Sequence, residues 1–80
     1  MPHYYLNLHN VHVDAPDDEG QDLPDLDAAR QQAIEGIRDF IGHEALSGKL
    51  DLRGRIVITD AGRATLETIS FADAFTIHGV

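Results

Sequence analysis

The chain contains no cysteine, which excludes disulfides, thiolate metal sites and a cysteine nucleophile together. A reducing, intracellular compartment is the matching expectation, and the cytoplasm is the location we expect. No apolar run approaches the ~18 residues needed to span a bilayer, and the N-terminus lacks a basic segment leading into an apolar one. We therefore expect no membrane partner. Basic residues are scarce as well, at 6 against 14 acids, giving a net charge of -8. An acidic surface repels phosphate backbones, so nucleic acid is not an expected partner.

The charge is unevenly placed. Residues 1–48 hold ten of the acids and only Arg30 and Arg38, whereas residues 49–80 balance four acids with Lys49, Arg53, Arg55 and Arg63. Eighty residues form one domain, 1–80, because so short a chain cannot bury two cores. Such a domain buries only about 60% of its unfolded surface, and disulfides are unavailable to reinforce it. A partner subunit is the remaining common reinforcement besides a metal.

His3-Tyr-Tyr-Leu-Asn-Leu-His9 alternates with strand period: Tyr4, Leu6 and Leu8 point one way, and His3, Tyr5, Asn7 and His9 the other. Val11-His12-Val13 is a candidate returning strand. Residues 14–23, rich in acids and turn formers, read as an exposed acidic loop with Gly20 supplying a positive φ. A helix follows over about 24–47. Pro24 stands near its first position, Asp25 and Asp27 fall in its first turn, and apolar residues recur at 26, 29, 33, 37, 41 and 45. Ser47-Gly48 ends it. Gly36 and Gly42 lie inside and cost roughly 1 kcal/mol each against alanine, so the far half is expected to bend or fray.

Two strands follow, Arg55 to Asp60 and Ala64 to Ile69, with a tight hairpin at Ala61-Gly62. Leu66 and Ile69 cannot share a face under strict alternation. Either a bulge near Glu67 shifts the register, or Ile69 and Phe71 lie on the opposite face. The tail from Phe71 has the spacing of one helical turn or forms an edge strand. The fold class is α+β: one amphipathic helix on a three- or four-stranded, mainly antiparallel sheet, in the order β-(β)-α-β-β.

Tyr4-Tyr5, Asp18-Glu19-Gly20, Leu23-Pro24-Asp25, Ala28-Ala29-Arg30 and Ile56-Val57-Ile58-Thr59-Asp60 with Gly62 resemble, in order, a bacterial family of small stand-alone proteins catalogued as a domain of unknown function. The resemblance runs to about Asp73-Ala74 and implies an α+β domain, with no activity or catalytic residue to carry over. A fainter likeness is to antitoxins of the HicB type, which also place a sheet before a helix opening as Asp25-Leu-Asp-Ala-Ala-Arg30 does here. The chain lacks that family's long aromatic second strand and its appended DNA-binding domain.

Motifs of chemistry are few. His9, His12 and Asp14 are the candidate metal ligands, because a turn between them brings strand positions within coordination distance. His3 and His9 share a face but stand ~20 Å apart along a strand and cannot hold one ion. Counting a calcium loop from Asp14 puts Pro16 third and Glu19 sixth, where glycine is needed, so calcium is excluded. Ser47 and Ser70 sit in no Gly-x-Ser-x-Gly elbow, and no phosphate-binding loop or His-Glu-x-x-His is present. No enzyme activity and no cofactor are expected. Lys49, Arg53, Arg55 and Arg63 would cluster around the hairpin and could meet an acidic patch, including this chain's own loop on a second copy.

A single helix covers one sheet face only. Tyr5, Asn7, Val57, Ile69 and Phe71 are the expected interface residues of the other face. The leading functional expectation is an interaction module that forms a homodimer, or binds another protein, through that face or an open strand edge. The alternatives are a small metal- or ligand-binding protein and an antitoxin-like, nucleic-acid-associated regulator.

Overall fold

The computed structural model describes residues 1–10, 14–48 and 50–75. Strand β1 (His3–Asn10) is followed by two short strands, β2 (Asp14–Ala15) and β3 (Gln21–Asp22). Helix α1 (Leu26–Leu46), β4 (Gly54–Asp60), β5 (Thr65–Ser70) and a 3₁₀ turn at Phe71–Ala74 complete the order. The sheet is antiparallel throughout, in the order β2-β1-β4-β5, with β3 also pairing with β1. This is the expected α+β architecture with one revision: the acidic segment contributes two strands of its own, raising the count to five. The strand expected at Val11-His12-Val13 lies outside the described residues.

The helix forms where its periodicity requires. Ala29, Ala33, Ile37 and Ile41 are its buried residues, spaced four apart so that they stack in one row facing the sheet. Ala45, which continues that row in sequence, is exposed, as is Leu46. Asp25 lies outside the helix in extended backbone as its N-cap, and its carboxylate accepts the Ala28 N–H at 2.9 Å. Pro24 accordingly precedes the cap rather than opening the first turn. Ser47 closes the far end, and Gly48 follows at φ 82°, donating its N–H to the Ala45 carbonyl. The helix runs unbroken through Gly36 and Gly42, so neither glycine ends it.

Residues pair across β1 and β4 as Leu6 with Ile58 and Leu8 with Ile56, and Ile56 in turn meets Ile69 on β5. These side chains and Tyr4 face the helix and form the core with Phe71 and Ala74. The hairpin expected at Ala61-Gly62 is closed between Asp60 and Ala64 and encloses Ala61-Gly62-Arg63. Asp60 N–H donates to the Ala64 carbonyl, and Arg63 N–H returns to the Asp60 carbonyl. The Asp60 carboxylate also accepts the N–H groups of Gly62 and Ala64. The left-handed position falls on Arg63, at φ 67°, and not on the glycine.

The register then slips. Thr59 pairs with Thr65 while Ile58 pairs with Glu67, which leaves Leu66 as an extra, exposed residue. Of the two expectations for β5, the bulge holds, and it turns Ile69 toward the helix. Beyond β5, Ser70 caps the 3₁₀ turn by accepting the Asp73 N–H, which folds the fully buried Phe71 beneath α1 beside Phe40. No helix among the described residues is long and apolar enough to cross a membrane.

Two glycines make the packing testable. A Cβ on Gly42 would meet nothing within 4 Å, so Gly42→Ala recovers helix propensity without cost. It should raise stability by roughly 1 kcal/mol and the thermal midpoint by about 4–8 °C in a calorimetric scan. A Cβ on Gly54 would stand 2.6 Å from Cε2 of the fully buried Phe71 ring. Urea unfolding of Gly54→Ala should therefore show a loss of about 1–3 kcal/mol from overpacking.

Candidate functional site

The sheet face turned away from the helix is built of cross-strand rows that the register dictates. Tyr5 lies beside Thr59 and Thr65, Asn7 beside Val57 and Thr68, and His9 beside Arg55 and Ser70. Tyr5 and Val57 are the apolar members of these rows. Ile69 and Phe71, expected here as interface residues, lie instead in the core, because the bulge at Leu66 and the turn after Ser70 carry both to the helix side. Asn7 is on the outer face as expected, but it is 7% exposed and engaged. The face is thus more polar than its sequence pattern implies.

What covers Asn7 is the acidic segment. Residues 14–22 cross the edge of β1 as a strap: β2 pairs Asp14 and Ala15 with His9 and Leu8, and β3 pairs Gln21 and Asp22 with Tyr4 and His3. Between these anchors the Asn7 carboxamide makes three bonds. Its Nδ2 donates to the Val57 carbonyl at 3.1 Å and to Thr59 Oγ1 at 3.4 Å, and its Oδ1 accepts the Asp17 N–H at 2.9 Å. Asp17 answers with its carboxylate, which accepts the N–H of Leu6 at 3.1 Å and of Gly20 at 2.9 Å. Charge-assisted bonds of this kind are among the stronger ones, so an acid in the sequence's most loop-like stretch acts as a structural pin. Asp14, Asp18, Glu19 and Asp22 remain exposed along the strap.

A histidine clamps each end. His9 Nδ1 bonds the Asp14 carboxylate at β2. His3 Nδ1 lies 2.7 Å from Asp22 Oδ1, and its Nε2 lies 2.8 Å from the Glu19 carbonyl oxygen. These bonds hold the His3 imidazole above its usual pKa of 6.5, chiefly through Asp22 and then through the Glu19 carbonyl; burial opposes, and the charges of Asp22 and Asp17 add. Of the candidate metal ligands, the fold does bring His9 and Asp14 together, while His12 lies outside the described residues. No group of three histidine, aspartate or glutamate side chains able to hold a metal ion occurs among the described residues.

The basic residues do not assemble into one patch. Arg63 sits at the hairpin end, its guanidinium 3.8 Å from the centre of the Tyr5 ring and its Nη1 3.4 Å from the Asp17 carbonyl. Arg53 and Arg55 are at the opposite end of β4, where with His9, Asn10, Gly54, Thr68 and Ser70 they line an open hollow of about 360 Å³. Arg53 donates from Nε and Nη2 to the two oxygens of Asp51, and His9 bonds the Asp14 carboxylate. Lys49 lies outside the described residues.

Sequence reading missed Asp17, Gly20 and Arg63 as parts of this face. Gly20 alone carried a signal, its turn context, and a Cβ there would strike the Tyr4 carbonyl and His3 Nε2 at 2.6 Å. Replacing Asn7 by alanine leaves the Asp17 N–H and the Thr59 side chain without their partner. We expect Asn7→Ala to lose about 1–3 kcal/mol in urea unfolding, with faster amide exchange at Asp17 than at Ile58.

No curated protein and no solved structure matches the chain. One family model does, over residues 3–72, a span from the start of β1 into the 3₁₀ turn. The chain therefore belongs to the family described as a domain of unknown function (DUF6894).

Proposed function

We propose that this domain is a non-catalytic protein-binding module that pairs with a second copy of itself along the edge of β5. The observation carrying this reading is the unequal treatment of the two sheet edges. The edge of β1 is closed by β2 and β3, whereas among the described residues no segment pairs with the outer side of β5. Every second residue of an edge strand turns its N–H and C=O away from the sheet, and those groups template pairing with another chain.

The strand's charge supports a self-complementary contact. In a chain of net charge -8, β5 carries one ionisable residue, Glu67, whose carboxylate accepts Arg30 Nε at 2.8 Å. Two β5 strands related by a twofold axis would meet antiparallel without like-charge repulsion, each contributing the same groups. Leu66, pushed out by the bulge and 42% exposed, gives that edge an apolar side chain to bury. The outer face, once stripped of Ile69 and Phe71, offers less than the edge does. The proposal includes a bacterial cytoplasmic setting, on the strength of the family resemblance and of a chain without cysteine.

Sedimentation equilibrium at micromolar concentration should give a dimer. Thr68→Lys, which places two like charges near the symmetry axis, should give a folded monomer with an unchanged circular dichroism spectrum. A clean monomer for the unsubstituted chain would overturn the reading.

A further inference from the structure

The partners of His3 determine its charge. Nδ1 faces a carboxylate and Nε2 faces a backbone carbonyl. Both are acceptors, so both ring nitrogens must carry hydrogen for both bonds to exist. A neutral imidazole has one N–H and satisfies one partner only. In either tautomer the other nitrogen would set its lone pair against an oxygen. The clamp is complete only as an imidazolium.

We propose that His3 is a pH-sensitive latch that holds the 17–22 half of the acidic strap on the edge of β1, and that this half lifts when the ring loses its proton. The groups around the ring make it responsive. Asp22 approaches from β3, and Asp17 and the Glu19 carbonyl approach from the strap. On β1 the Tyr5 ring meets the imidazole edge-on at 5.1 Å, and from the hairpin Arg63 lies over that same Tyr5 ring. Gly20 packs close to the ring, since a Cβ there would stand 2.6 Å from Nε2. The strap remains anchored at β2 by His9 and Asp14, so lifting pivots there and uncovers the backbone edge of β1. The device is independent of pairing through β5, which lies on the far side of the sheet.

The direction follows from the raised pKa. A group that binds its proton more tightly when folded stabilises its contacts fully below the ordinary value of 6.5, and that contribution disappears as pH rises through the raised value. The strap is therefore tightest in mild acid and loosest above neutrality.

Amide hydrogen exchange, corrected for the intrinsic effect of pH, reads the latch directly. Protection at Asp17, Gly20 and Leu23 should fall several-fold as His3 titrates, while protection at Val57 and Ile58 stays level. In parallel, ring ¹⁵N shifts should show both His3 nitrogens protonated below the transition, with a midpoint above the ordinary histidine value of 6.5. His3→Gln, which has no titratable proton, should abolish the step, and His43→Gln, at an exposed position of α1, should retain it. The proposal fails if strap and β4 amides follow one pH profile, if His3→Gln keeps the step, or if His3 is a single neutral tautomer in mild acid.

Discussion

The ladder of seven residue pairs between β1 and β4 is the constraint on which the rest of the molecule depends. These strands are adjacent in space but separated in the chain by the strap and the whole of α1. Their register places Leu6 opposite Ile58 and Leu8 opposite Ile56, which creates the apolar surface the helix covers. The same register places Asn7 between the Val57 carbonyl and Thr59, which creates the polar centre of the opposite face. A slip of β1 by one residue would bury the Asn7 amide beneath the helix and expose Leu6 and Leu8. Ala29 and Ala33 then let α1 lie close on that surface, where larger side chains would hold it away.

The two sides of the sheet are stabilised by different physics. On the helix side the contacts are apolar and non-directional, from Ala29 through Ile41 to Phe71. On the outer side they are directional: Asn7 to Asp17, Asp17 to Leu6 and Gly20, His3 to Asp22 and Glu19, Arg63 to Tyr5. Among the described residues no buried side-chain nitrogen or oxygen lacks a partner. A domain of this size gains little from a single-sided core, and the strap adds a second, polar layer over part of the exposed sheet face. Polar layers respond to protonation in a way that apolar ones do not.

The edges of the sheet complete the picture. The strap closes β1 with two two-residue strands, a short and charged form of protection that discourages further pairing. At β5 the bulge and the exposed Leu66 are the features that set its shape, and its backbone remains the open one among the described residues.

Local pattern was enough to read the helix, the alternation of β1 and the α+β class. Each rests on interactions within a few residues: four-residue apolar spacing for α1, two-residue alternation for the strands, glycine in the left-handed position after Ser47. The roles of Asp17, Ile69, Phe71 and Arg63 were not legible in that way. Asp17 looks like any other acid in a run of them until Asn7, ten positions away, is brought beside it by β2 and β3. Ile69 and Phe71 took their side from a one-residue bulge and a serine-capped turn, and either could have gone the other way on periodicity alone. Sequence determined which segments bury apolar surface, because burial follows composition and period. Tertiary structure decided which acids and which histidine act, because a hydrogen bond requires its partner within about 3 Å, and only the closed sheet provides that distance.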